Sequence, residues 1–177
     1  MPTVLENWNE RARRYGYDAV GVIGTRDEVQ EEQYRKTKRF LNRKIPKNNT
    51  ILDYGCGVGR LSVLFKPKNY TGMDISPEML KIAREKHPDY TFIQMIQLPK
   101  TDIFFTANVL QHNNDKVVKS LDIPAKELYL YEIVGKGEHK PHLYPRTIED
   151  YEMLLGLKCK KSWKNGNHTL MYYVNNR

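Results

Sequence analysis

The stretch ILDYGCGVGRL, residues 51 to 61, places three glycines at every second position behind a short apolar run that contains one acid, Asp53. The run TILDY reads as a buried strand, and GRLSVLF behind it as a helix that starts in the glycine turn. Glycines at such a junction admit positive φ and let a bulky ligand lie against bare backbone. A tight turn needs glycine even with no ligand, so the surrounding residues must decide. Two phosphate-binding motifs fail here. No Gly-Lys-Ser/Thr follows, as a P-loop requires, and Arg60 stands where a dinucleotide fingerprint has its third glycine.

Outward from this turn, short β-rich runs alternate with helical patterns. NYTGMD, YTFIQM, DIFFTAN and ELYLYEIV read as strands, and DKVVKSL as a helix between the last two. PEMLKIAREKH is a helix capped by Ser76, with Pro77 at its first position and Glu78 in its first turn. RDEVQEEQYRKTKRFLNRK spaces Val29, Tyr34, Phe40 and Leu41 for a helix of about five turns, acids early and bases late. TIEDYEMLLG is a last helix between Thr147 and Gly156, and LKCKKSWK with HTLMYYVNN form an antiparallel pair. Strands separated by helices imply parallel pairing, hence a doubly wound α/β fold whose ligands bind beyond the carboxyl ends of the strands. One domain is expected over residues 1–177, with a helical cap segment at 1–45 and the core at 46–177.

Composition agrees with a globular protein: 40% of the 177 residues are hydrophobic and 28% charged. No apolar run reaches the roughly 18 to 20 residues of a membrane span, and MPTVLENWNERARR lacks the apolar centre of a secretory signal. Cys56 and Cys159 form no ligand spacing, so reduced thiols in the cytoplasm are expected, with no membrane partner and no metal. The net charge of +8 sits at the ends: residues 1–50 hold 11 Lys/Arg against 7 Asp/Glu, residues 51–135 hold 10 against 10, and residues 136–177 hold 8 against 4. Basic ends either draw an anionic partner or only aid solubility.

The run from Asp53 to Gly59 resembles the Asp/Glu-x-Gly-x-Gly-x-Gly signature of class I S-adenosylmethionine-dependent methyltransferases. YTGMDISPEMLKIAREKHP is similar to the generic methyltransferase domains of that superfamily, with Asp74 closing the second strand, and DIFFTANVLQHNND looks like its fourth strand and exit. The resemblance spans residues 50–133. It implies a Rossmann-like, seven-stranded, mostly parallel sheet with an antiparallel C-terminal strand pair and helices on both faces. It also implies S-adenosyl-L-methionine as cofactor. Asp53 would orient the turn and favour the cofactor's ammonium; Gly55 and Gly57 would admit its tail and ribose. Asp74 would accept both ribose hydroxyls, since a carboxylate offers two acceptor oxygens; the alternative is an acid at a helix N-terminus. Ile75 would lie on adenine. Tyr54, Cys56, Met79, Gln97 and Asn108 would complete the site, and Tyr15 would reach in from the N-terminal segment, where Trp8, Tyr15 and Tyr17 otherwise read as packing. Met95, Ile96 and Gln97 offer no carboxylate for the adenine amino group, where the family often has one.

Methyl transfer needs alignment more than acid–base help, because the sulfonium is already a good leaving group. His112 and Asn108 are the candidate catalytic residues, His112 as a base for a protonated acceptor or else a helix cap. No Pro-Pro-aromatic follows Asn108, and no Pro-Cys pair is present, which argues against the two routes of DNA base methylation. His142, Tyr144 and Arg146 are candidates for acceptor binding, with Arg146 either clamping an anion or pairing with Glu149. His139 with His142 lacks a third metal ligand. The expected function is in-line transfer of a methyl group to an O or N of a small-molecule acceptor, by a monomer or homodimer. The alternatives are an RNA methyltransferase that uses the basic ends, a silent cofactor-binding module, and a nicotinamide oxidoreductase.

Overall fold

The computed structural model describes residues 3–20, 27–137 and 143–176. Helix α1 (Val4–Tyr15) starts under a capping box in which Thr3 Oγ1 accepts the Glu6 amide while the Glu6 carboxylate accepts the Thr3 amide. Helix α2 covers Asp27–Asn42. Strands β1 (Ile51–Tyr54), β2 (Tyr70–Asp74), β3 (Thr91–Gln94), β4 (Thr101–Ala107), β5 (Ala125–Ile133), β6 (Cys159–Asn165) and β7 (His168–Val174) form one seven-stranded sheet in the order β3-β2-β1-β4-β5-β7-β6. Pairing is parallel for β2 with β3, β1 with β4 and β4 with β5, and antiparallel where β7 meets β5 and β6. Strand order reverses between β1 and β4, the place where doubly wound sheets bind ligands.

Helices α3 (Pro77–Lys86), α4 (Asp115–Lys119) and α5 (Ile148–Leu155) lie where the sequence places them. Ser76 Oγ accepts the Met79 amide at the start of α3, and α5 ends on Gly156 in the left-handed conformation. One expected helix does not form. After the glycine turn, GRLSVLF makes a single 3-10 turn at Ser62–Leu64. Pro67 holds Lys66 in extended backbone (φ −71°, ψ 133°), and Phe65 is extended too (φ −121°, ψ 160°), so too few residues remain to nucleate an α-helix.

The chain divides into two compact units, Met1–Asn49 with Gly55–Ile96 and Thr50–Tyr54 with Gln97–Arg177. In the first, Tyr70 meets Tyr90 and Phe92 edge-on and stacks with Phe65, and a separate cluster of Ala12, Ala19, Val58 and Met79 joins α1 to α3. In the second, Phe104, Phe105, Leu128, Leu130, Leu170, Met171 and Tyr173 are buried around the sheet, with Tyr151 and Leu155 of α5. A strand buried on both faces reads as a continuous apolar run, and Leu128 to Tyr131 of β5 follow that pattern. Glu132 breaks it. Among the described residues, no helix is long and apolar enough to cross a membrane.

Candidate functional site

In the first unit the glycine turn is folded onto the end of β2. The amides of Gly55 and Cys56 both donate to the Met73 carbonyl, at 2.7 and 3.0 Å. Asp74, 8% exposed, accepts the Gly57 amide through Oδ2 at 2.8 Å and the Ser76 amide through Oδ1 at 2.9 Å. Burial pushes its pKa up, and these backbone donors oppose the rise. Gly57 (φ +54°) is required twice over: its backbone is left-handed, and a Cβ there would come within 2.6 Å of Val20 Cγ1. Gly59 (φ +78°) serves packing, since a Cβ would meet Phe92 of β3 at 2.8 Å. Beyond the carboxyl ends of β2 and β3, Ile75 is 37% and Ile96 92% exposed, two apolar side chains open to solvent, with Gln97 exposed beside them in sequence. Cys56 is a half-buried thiol outside any disulfide, its Sγ 3.7 Å from the Gly57 carbonyl oxygen.

The N-terminal segment is anchored to this turn by residues whose role the sequence did not reveal. Arg60 carries a side chain only 9% exposed; it donates to the Tyr17 carbonyl at 3.2 Å, pairs with Asp18, and lies 3.6 Å from Glu31. Its guanidinium also sits over the rings of Tyr17 and Tyr34, at 4.7 and 5.4 Å from their centroids. Arg11 donates twice to the Ala19 carbonyl, Ser76 Oγ donates to Asn9 Oδ1 at 2.6 Å, and Arg13 meets Glu78 at 3.0 Å. Tyr17 Oη lies 3.0 Å from His87 Nε2. Trp8, Tyr15 and Tyr17 pack against the Ala12–Ala19–Val58–Met79 cluster. Met79, 1% exposed, is part of that cluster. Its third place in α3 turns the side chain inward, into that cluster. The missed signal was Arg60 itself: a lone arginine in an apolar run has to find partners if it is buried.

The second unit holds β1 and the exit of β4. Asp53 and Tyr54 are buried side chains of β1, opposite Phe105 and Thr106 of β4, with the Tyr54 ring 5.3 Å from that of Phe104. Asn108 is exposed and left-handed, with φ +59°, a conformation Asn tolerates better than most residues and one common where a chain carries function. His112 closes the 3-10 turn Leu110–His112 and is half-buried, with Nε2 at 3.4 Å from Gln111 Nε2. Gln111 is buried; its Oε1 accepts the Ile133 amide at 3.2 Å, and its carbonyl accepts the Tyr144 amide at 2.7 Å.

Arg146 does not fit its expected roles. It is 3% exposed and donates to Asp115 Oδ1 and to the carbonyls of Leu110 and Asn113, rather than to Glu149 or outward to an anion. The exposed Asp115 competes best because it opens α4 beside those carbonyls. Tyr144 lies with its ring centroid 5.7 Å from the same guanidinium. His139 and His142 fall outside the described residues. Among the described residues, no group of three or more His, Cys, Asp or Glu could hold a metal ion.

A sheet of this order, with a glycine turn leaving β1 and a buried acid closing β2, defines a class: the Rossmann-like domains of class I methyltransferases. Residues 51–122 match the family model described as Methyltransferase domain. The 235L protein of Invertebrate iridescent virus 6, named for a methyltransferase, is 29% identical over 116 residues, covering 63% of this chain and 38% of that protein. The ubiquinone biosynthesis O-methyltransferase of Hydrogenovibrio crunogenus is 34% identical over 85 residues, 47% of this chain and 34% of the relative. The chain spans less than two fifths of the length of the curated relatives it matches. Among solved structures, the magnesium protoporphyrin IX methyltransferase of Synechocystis, with bound SAH, has a similar fold at a TM-score of 0.68 and 19% identity, covering 98% of each chain. Over residues 51–122 the chain thus matches a methyltransferase domain, and its sheet has the fold of the class I methyltransferases.

Proposed function

We propose that the protein binds S-adenosyl-L-methionine on the glycine turn and Asp74 and transfers its methyl group in line to an oxygen or nitrogen of a small-molecule acceptor. The observation that carries this reading is the Asp74–Gly57 pair, a buried carboxylate held beside a left-handed glycine at the end of β2. The residues present fit the group. Asp74 takes the amides of Gly57, Ile75 and Ser76, and the roughly four lone-pair sites of a carboxylate leave room beside them for a ribose hydroxyl. Ile75 and Ile96 offer open apolar surface to adenine, and Gly55 has no Cβ to hold a ligand off the turn, while Val20 covers the Cβ face of Gly57. Bound there, the cofactor would supply a methyl on a positively charged sulfur, needing no metal and no redox partner. The chain's own work is then to bind, to orient and to exclude water. Asn108 and His112, leaving β4, are the groups assigned to the acceptor side, with His112 taking a proton if the acceptor arrives protonated. Two cysteines outside any disulfide fit a reducing, cytoplasmic setting.

A second reading, an RNA acceptor, draws on one observation. Strand β6 presents exposed Lys160, Lys161 and Lys164, with Trp163 half-buried among them and Lys161 Nζ 5.4 Å from its ring. Lysines on an edge strand also prevent sheet-to-sheet aggregation, which weakens this reading.

Calorimetry with S-adenosylmethionine and with NADH tests the cofactor; saturable NADH binding without uptake of the sulfonium compound would overturn the proposal. Tritiated methyl incorporation into small-molecule, RNA and protein fractions then assigns the acceptor. Cofactor binding with no label in any fraction would make the chain a silent binding module.

A further inference from the structure

Glu132 occupies a position in β5 where an aliphatic side chain is the ordinary occupant. It is 0% exposed, and burying a carboxylate is costly unless it is fully bonded. Its bonds all run to one segment. Oε1 accepts the amides of Val109 and Leu110, each at 3.1 Å, and Oε2 accepts that of Gln111 at 3.4 Å. Arg146 holds the carbonyl side of the same segment, donating to Leu110 O and Asn113 O at 2.7 Å each, and is itself braced by Asp115 Oδ1 at 2.6 Å. Two opposite buried charges thus grip five backbone groups between residues 109 and 113. Asn108 immediately precedes that span and His112 lies within it; both are the groups assigned to the acceptor side.

We propose that Glu132 and Arg146 are positioning residues, which fix the backbone leaving β4 and thereby the placement of Asn108 and His112 for transfer. Neither touches the reacting atoms in this scheme. The effect on rate rests on the methyltransferase reading; the effect on the backbone does not.

The grip depends on charge. An ionised carboxylate offers acceptors to all three amides, whereas a protonated one turns one oxygen into a donor. Burial pushes Glu132 up to about 7, with the three amides and the Arg146 charge opposing the rise. The titratable and charged groups facing it are Arg146, ahead of α5, and the Tyr151 phenol of α5; Asp115 of α4 lies beyond Arg146, and the cross-strand partner on β7 is the uncharged Thr169. The phenol stays neutral across this range, held up by burial and then by the Glu132 charge. The segment should tighten as pH rises through neutrality.

The test is ¹⁵N NMR of the ligand-free protein from about pH 5.5 to 8.5, following the amides of Val109, Leu110 and Gln111. The expected result is three amide shifts with one shared midpoint near 7, abolished in Glu132→Gln. Amides that do not titrate together, or that titrate unchanged in the variant, overturn the proposal. Should Glu132→Gln fail to fold, Asp115→Asn probes the same grip from its exposed end, where the Asp115 side chain is 69% exposed. Faster hydrogen exchange at residues 110–113 is expected there, and unchanged exchange counts against the grip. In the methylation assay, Glu132→Gln should lower kcat about tenfold or more while the Kd for S-adenosylmethionine stays within about twofold. Unaltered kcat, or equal loss in both, defeats a positioning role. A wild-type chain that neither binds S-adenosylmethionine nor methylates would defeat the proposed function instead, leaving the NMR result to stand by itself.

Discussion

Asp74 and Gly57 are joined by a 2.8 Å hydrogen bond from the glycine amide to the carboxylate, so the acid that closes β2 also sets the height of the glycine turn. With its second oxygen on the Ser76 amide, one side chain links that turn to the start of α3. A ligand arriving there meets a site already shaped. Asp74→Ala removes both the candidate ribose acceptor and the brace, and S-adenosylmethionine affinity should fall by roughly 1–3 kcal/mol. Asp74→Asn, which keeps one acceptor oxygen, should fall between wild type and Ala. Calorimetry reads both, and equal affinities for all three proteins would remove Asp74 from the site.

Gly57 faces two separate constraints, and they can be told apart. In Gly57→Ala the left-handed backbone costs about 1–2 kcal/mol, and the new methyl also collides with Val20. Adding Val20→Ala relieves the collision alone. Urea denaturation should therefore show a loss of stability for Gly57→Ala that the double variant recovers only in part. Full recovery would mean that the φ constraint is not real.

Arg60 should matter more than its partners. Removing it leaves the Tyr17 carbonyl, Asp18 and Glu31 without their shared cation and strips two rings of a stacked guanidinium. Arg60→Ala is expected to cost about 2 kcal/mol and to expose residues 16–20 to limited proteolysis. Asp18→Asn, at an exposed carboxylate, should cost under about 1 kcal/mol. Proteolysis at the wild-type rate in Arg60→Ala would show that the segment is held by apolar contacts alone.

The pH dependence of stability carries its own sign. Glu132 binds its proton more tightly folded than unfolded, its pKa being raised from 4.5 to about 7, so wild type loses stability as pH climbs through that window and levels off above it. Glu132→Gln lacks this term. The stability of the variant relative to wild type should therefore improve by up to about 3 kcal/mol between about pH 4.5 and 7, at 1.36 kcal/mol per unit. Parallel curves for the two proteins would place the titration elsewhere.

The order of elements was legible because its signals are local. Ser76 and Thr147 cap their helices as their place before Pro77 and Ile148 requires, and Gly156 ends α5 in the one conformation glycine adopts cheaply. The antiparallel pair at the C-terminus followed from alternation in HTLMYYV. GRLSVLF misled because helical periodicity over six or seven residues does not overcome a proline just beyond it. The partner of Arg146 was not legible for another reason: a residue type that suits a ligand suits a brace equally well.

From the sequence alone come the strand and helix order, the glycine turn with Asp74 at the next strand end, and the resemblance to methyltransferases, because capping, periodicity and left-handed glycines act within a few residues. Only the tertiary structure decided that Val20 leans on Gly57, that Arg60 ties down the N-terminal segment, and that Glu132 and Arg146 grip the exit of β4. Those contacts join residues from about 20 to more than 40 positions apart. Which partner a buried charge finds depends on what packing leaves within reach, and no local pattern records it.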